Sequence, residues 1–134
     1  MNPHRTRSRG VNLAIMNFLS DIRNAVLANA VIVIFHIYIA FAVEGVSFLV
    51  IVLPVGALIA AAYYFKGKIG AALLALPTLG YLLVVPDLVD AMINGDAEIG
   101  WGIYIFAPFW LLTILVNLMT IVAEARKPSE NENI

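Results

Sequence analysis

Two long apolar runs joined by a basic turn constrain this chain more than any other feature. Residues 46–65 and 69–85 flank Lys66-Gly67-Lys68, and Tyr63, Tyr64 and Phe65 stand just before the turn. At about 1.5 Å per residue, each run is close to the length needed to cross a hydrocarbon core of about 30 Å. The pair reads as a transmembrane hairpin. Its turn holds two of the eight Lys and Arg residues, and the positive-inside bias assigns such a turn to the cytoplasmic side. The remaining segments then follow by alternation.

Composition agrees with a bilayer as the solvent. The chain is 62% hydrophobic and 13% charged, with a mean hydropathy of +0.92, whereas a soluble domain is nearer half apolar and a quarter charged. The basic residues show no nucleic-acid footprint. The absence of cysteine excludes disulfides, thiolate metal sites and cysteine nucleophiles. Only His4, His36 and carboxylates remain as metal ligands, and the sequence requires no cofactor.

Residues 1–10 carry His4, Arg5, Arg7 and Arg9 without an acid and read as a basic cytoplasmic tail against anionic headgroups. Asp21 and Arg23 interrupt the first apolar stretch, so no cleaved signal peptide is expected. Residues 11–23 place Val11, Ile15, Phe18, Leu19 and Ile22 on one helical face. They form either a short interfacial amphipathic helix or an extension of the first membrane helix. The membrane domain covers residues 11–123, with spans at about 25–43, 46–65, 69–85 and 101–123, and residues 124–134 are a polar cytoplasmic tail.

Small residues at a spacing of four suit close helix packing in lipid: Gly56 with Ala60, Ala57 with Ala61, and Ala71 with Ala75. The third span ends before Pro86, which suits the first turn of a further short helix through Ile93. Asn94-Gly95-Asp96 signals a turn. Tyr63, Tyr64 and Trp101 are expected at the membrane interface.

The fold class is therefore an all-α integral membrane protein of four transmembrane helices with both termini cytoplasmic. This arrangement puts every Lys and Arg on the cytoplasmic side and Glu44, Asp87, Asp90, Asp96 and Glu98 on the outside. A bacterial or archaeal cytoplasmic membrane is the expected location.

Chemistry is sparser. His36, Pro54, Pro77 and Pro108 lie at one depth in the four spans. Each proline frees a carbonyl four residues earlier, which lipid cannot satisfy. Asn29 is seven residues from His36 and shares its helical face. These five residues form a candidate ligand or proton site opening outward, with acids around its mouth to attract a cation, an amine or a proton. The plainer alternative is that prolines are tolerated in membrane helices and that His36 bonds a neighbouring carbonyl. Asn117 reads as an interhelical hydrogen-bonding residue, and Asp87 with Asp90 as an outer cation contact or as solvated acids. No metal site and no catalytic group is assigned, since HExxH, GxSxG and phosphate-binding glycine loops are absent.

Two functions compete. The first is a non-catalytic membrane protein acting by association, as an accessory subunit, an assembly factor or a homo-oligomer, whose partners are the lipid bilayer and its own or a larger membrane protein. The second is a small oligomeric transporter or channel built around His36 and the proline layer. A weaker third reading is a cofactor or quinone site using His36 and nearby aromatics.

Overall fold

The structure, a computed structural model, describes residues 3–97 and 99–128, with side-chain surroundings from Arg7 onward. Glu98, residues 129–134 of the polar tail, and the side chains of His4 and Arg5 lie outside the described residues. Every regular element among the described residues is helical. Helix α1 spans Pro3–Leu19 and α2 spans Ile22–Ile39, its last turn widening into a π-helix over Ala40–Glu44. A 3-10 turn at Val46–Phe48 leads into α3, Leu49–Phe65. Helix α4 spans Gly67–Asn94, and a second 3-10 turn at Gly100–Gly102 opens α5, Ile103–Arg126. The segments Ile22–Glu44, Val46–Phe65, Gly67–Asn94 and Gly100–Arg126 are each long and apolar enough to cross a membrane.

The basic amino-terminal stretch is helical and continuous with the apolar residues after it, so α1 begins within what reads from the sequence as a tail. It is separate from the first span. The helix stops at Ser20, and Asp21 caps α2 by accepting a hydrogen bond from the Arg23 N–H at 3.0 Å. Residues 7–18 of α1 are exposed on every turn. Only its end meets the bundle, where Leu19 packs against the core.

Helices α2 to α5 form an up-and-down bundle in which each packs on its neighbours in sequence and α5 closes on α2. The connections are short, which forces antiparallel neighbours. Gly45 turns the chain between α2 and α3 at φ 94, a conformation favouring glycine. The α3–α4 turn is tighter. Lys66 sits at φ 54 and ψ −169, a region nearly confined to glycine that costs a side-chain-bearing residue about 1–3 kcal/mol. It is held by hydrogen bonds from its N–H to Ala62 O and from the Gly70 N–H to its carbonyl.

Close approach in this hairpin depends on Gly70. A Cβ there would lie 2.6 Å from Ala62 O, so the two backbones touch. The small-residue pairs read from the sequence behave differently. Gly56 faces Val33 of α2, Ala71 is buried, and Ala57 and Ala60 point outward.

Helix α4 runs unbroken through Pro77 and Pro86, rather than ending before Pro86 and restarting. Proline keeps a helical φ, and packing against α5 carries the helix onward. Leu88 is buried there, and Tyr104 donates a hydrogen bond to Met92 O at 3.1 Å. At 28 residues α4 is about 42 Å long, so its final turns extend past a hydrocarbon core of about 30 Å.

Two apolar clusters fill the bundle. Ala25, Ala62, Leu74 and Val116 pack near the α3–α4 turn, whereas Ile32, Tyr81, Leu88, Ile103, Ala107, Trp110 and Ile114 pack toward the opposite end. The outer surface is as apolar as the core. Val50, Leu83 and Tyr64 are 77%, 80% and 80% exposed, which a soluble monomer rarely sustains over so wide an area but which lipid solvates.

Candidate functional site

Between the two clusters lies a buried polar layer. Asn29 of α2 and Asn117 of α5 face each other as a reciprocal amide pair, donating from Asn29 Nδ2 to Asn117 Oδ1 at 2.7 Å and from Asn117 Nδ2 to Asn29 Oδ1 at 3.2 Å. The second Asn29 proton goes to Ala25 O at 2.6 Å, and the second Asn117 proton goes to Thr78 Oγ1 of α4 at 3.0 Å. Thr78 in turn donates to Leu74 O at 2.7 Å. Both amides have spent their two protons and the threonine its one. Exposure is 0% for Asn29 and Asn117 and 2% for Thr78, so the layer ties three helices together without reaching solvent. It can specify which helix faces meet; it has no donor left for a ligand.

His36, two turns along α2 from Asn29, belongs to a different environment. It lines a cavity of about 380 Å³ bounded by α2, α3 and α4, with Trp110 of α5 in its wall. The imidazole Nδ1 pairs with Ile32 O at 2.8 Å. Because a carbonyl only accepts, Nδ1 is the donor in this pair, and in the neutral ring that leaves Nε2 as an acceptor. Nε2 has no hydrogen-bond partner among the described residues. Aromatic rings surround the imidazole: Phe48 stacks at 6.2 Å between centroids, Phe106 lies at 5.9 Å and Trp110 at 5.6 Å.

Tyr81, on the α4 wall of the same cavity, carries no signal in the apolar periodicity that would distinguish it from a packing residue. It is 5% exposed, and its hydroxyl is buried without a hydrogen-bond partner. Its ring packs on Trp110 at 4.7 Å, and the Trp110 indole N–H donates to Tyr81 O at 3.2 Å. Gly80 beside it also lines the cavity, and a Cβ there would meet nothing within 4 Å.

The five residues of the sequence-derived site thus divide. His36 and Pro77 share the cavity, and Asn29 is turned into the polar layer with Asn117. Pro54 and Pro108 are exposed on the outside of the bundle and do not line the cavity. Equal depth along four helices does not bring residues to one face, because each helix is rotated by its own packing. Asp87 and Asp90 are exposed near the end of α4, and Asp90 accepts a hydrogen bond from Asn94 at 2.6 Å. Among the described residues no cluster of His, Cys, Asp or Glu has the makings of a metal site.

Charge is sorted between the two ends of the bundle. Arg23, Lys66, Lys68, Arg126 and Lys127 lie at the end that holds the α3–α4 turn, where Lys66, Lys127, Asp21 and Glu124 line a shared polar recess. Glu44, Asp90 and Asp96 lie at the other end.

The fold and its surface indicate an all-helical integral membrane protein with four helices suited to spanning the bilayer. Compared with known proteins, the chain matches no family model, and no curated protein or solved structure is similar to it.

Proposed function

We propose that the protein is a non-catalytic membrane protein that acts by association, as an accessory subunit, an assembly factor or a homo-oligomer. The observation that supports this reading is the closed Asn29–Asn117–Thr78 layer. It occupies the bundle interior with side chains that satisfy one another, so a single chain has no polar path through its own core. Charged residues are confined to the ends, and the broad apolar exterior is the surface left for partners. The positive-inside bias orients the basic end toward the cytoplasm, which puts both termini inside. Helix α1, basic and exposed along an apolar side bearing Val11, Ile15 and Phe18, lies along the cytoplasmic face of the membrane. A bacterial or archaeal cytoplasmic membrane suits this arrangement.

The test is purification of the protein at its native level in its own lipid, followed by mass spectrometry of what remains bound. A stoichiometric partner, or a defined homo-oligomer, is the expected result. Recovery as a lone monomer would overturn the reading.

A second reading, a small oligomeric transporter or channel, is favoured by the cavity that holds His36. It predicts flux in proteoliposomes that is lost in both His36→Phe and His36→Gln. Flux unaffected by either substitution would remove His36 from any pathway.

A further inference from the structure

We propose that the polar recess at the basic end of the bundle binds the headgroup of a phospholipid bearing a primary amine, a phosphoethanolamine head whose phosphate meets Lys66 and whose ammonium meets Asp21. The recess has a volume of about 640 Å³, and four charged side chains line it: Asp21, Lys66, Glu124 and Lys127. Two of them are spent on each other, with Lys127 Nζ 2.7 Å from Glu124 Oε1. The other two are not. Lys66 Nζ lies 5.4 Å from the centroid of the Tyr63 ring and has no carboxylate partner among the described residues. Asp21 accepts the Arg23 N–H on Oδ1 and has no cationic partner among them. One recess thus presents an ammonium and a carboxylate, both on exposed residues, that do not pair with each other. A head carrying both charges satisfies the two at once.

The backbone at Lys66 supports a binding role for its side chain. At φ 54 and ψ −169 a glycine would sit without strain, yet the residue is lysine and the glycine is the next one. That side chain makes no ion pair within the fold, so the strain is carried by a group whose charge is left for a ligand. Depth is also right. Tyr63 and Tyr64, just before the turn, are residues of the headgroup boundary. Phe18, Phe65 and Val122 are exposed and adjoin the recess residues Asn17, Lys66 and Ala123 in the chain, which gives acyl chains an apolar surface beside the head. A choline head cannot donate a hydrogen bond to Asp21, and a glycerol head brings no cation to it. A divalent cation wants more oxygen ligands and fewer ammonium neighbours than this recess offers. The site is complete in one chain and does not depend on the association proposed above.

The test is native mass spectrometry of the protein in a nonionic detergent, titrated with dioleoyl phosphatidylethanolamine, phosphatidylcholine or phosphatidylglycerol. One ethanolamine lipid is expected to bind more tightly than either of the others. Asp21→Asn keeps a good helix cap but removes the charge. It should bring the ethanolamine lipid down to the affinity of the choline lipid without weakening the glycerol lipid. Lys66→Gly should weaken the ethanolamine and glycerol lipids alike by about 3- to 5-fold, the value of one exposed ion pair, while Tm holds or rises as backbone strain is released. Lys68→Gln, at the same turn but outside the recess, should change neither. Phosphatidylglycerol binding as tightly as phosphatidylethanolamine would overturn the proposal, by reducing the site to a basic surface that collects anions. An order of affinities unmoved by Asp21→Asn, or a loss as large in Lys68→Gln as in Lys66→Gly, would also overturn it. Competition by soluble glycerophosphoethanolamine at equal affinity would overturn the lipid as the occupant.

Discussion

At the scale of single residues, stability is concentrated where polar groups are buried and where backbones touch. Asn117→Ala removes one side of the amide pair and strands Asn29 Oδ1 and one Asn29 proton in a dry interior, while Thr78 keeps its donation to Leu74 O. A loss of about 2 kcal/mol is expected, the lower bound being set by the modest value of interhelical hydrogen bonds in membranes and the upper by orphaned buried groups. Unfolding in bicelles measures it, and a double-mutant cycle with Asn29→Ala should give a coupling of about 1 kcal/mol. Gly70→Ala and Gly56→Ala form a matched pair. The first places a methyl 2.6 Å from Ala62 O and should cost about 1–3 kcal/mol, because a backbone must move. The second meets Val33 Cγ1 at 3.4 Å, an ordinary contact, and should be nearly neutral in the same assay. Neither the depth of Asn117 nor the partner of Gly70 follows from local spacing. Asn117 reads from the sequence as an interhelical polar residue without a named partner, and Gly70 is not singled out at all.

At the scale of elements, α4 departs furthest from its sequence reading. Residues 69–85 stand out as the hydrophobic run, but the helix extends over Gly67–Asn94. Hydropathy marks where lipid ends, whereas helix ends are set by hydrogen bonding and packing. Past Pro86, the polar Asp87, Asp90 and Asn94 stay helical because Leu88 and Met92 on the other face are held by α5. The Pro86 ring cannot donate to Leu82 O, and Leu82 and Leu83 are exposed to the lipid side, where no water replaces the bond. Pro86→Ala is therefore expected to raise stability by about 1–3 kcal/mol and to leave the helix content unchanged by circular dichroism. A fall in stability would mean that Pro86 itself is required for α4 to follow α5.

At the scale of the whole molecule, the alternating path of four helices gathers Arg23, Lys66, Lys68, Arg126 and Lys127, together with Asp21 and Glu124, at one end and leaves Glu44, Asp90 and Asp96 at the other. The orientation proposed from this can be read directly, since the chain lacks cysteine and single cysteines report without background. In intact cells, Ser47→Cys, in the α2–α3 turn, should react with a membrane-impermeant maleimide. Ser20→Cys, in the α1–α2 turn at the basic end, should react only after lysis. The reverse pattern would invert the topology while leaving the bundle as described. The cavity and the polar layer are also properties at this scale, because each needs three or more helices to exist. The cavity lies between α3 and α4 on the side away from their tight Ala62–Gly70 contact, and Trp110 reaches it from a fourth helix.

The sequence by itself determined the number of long apolar helices and the segregation of the Lys and Arg residues, because these follow from how much apolar chain is needed to cross lipid and from where ionised groups are tolerated. It also identified His36, Asn29, Asn117 and Pro77 as the irregular groups inside the spans. Only the tertiary structure decided how these combine. Rotation of each helix about its axis is set by side-chain packing against its neighbours, and no period within one helix encodes it. That rotation sends Asn29 to Asn117 rather than to His36. It turns Pro54 and Pro108 outward, and it puts Tyr81 and Pro77 of α4 on the wall of the same cavity as His36.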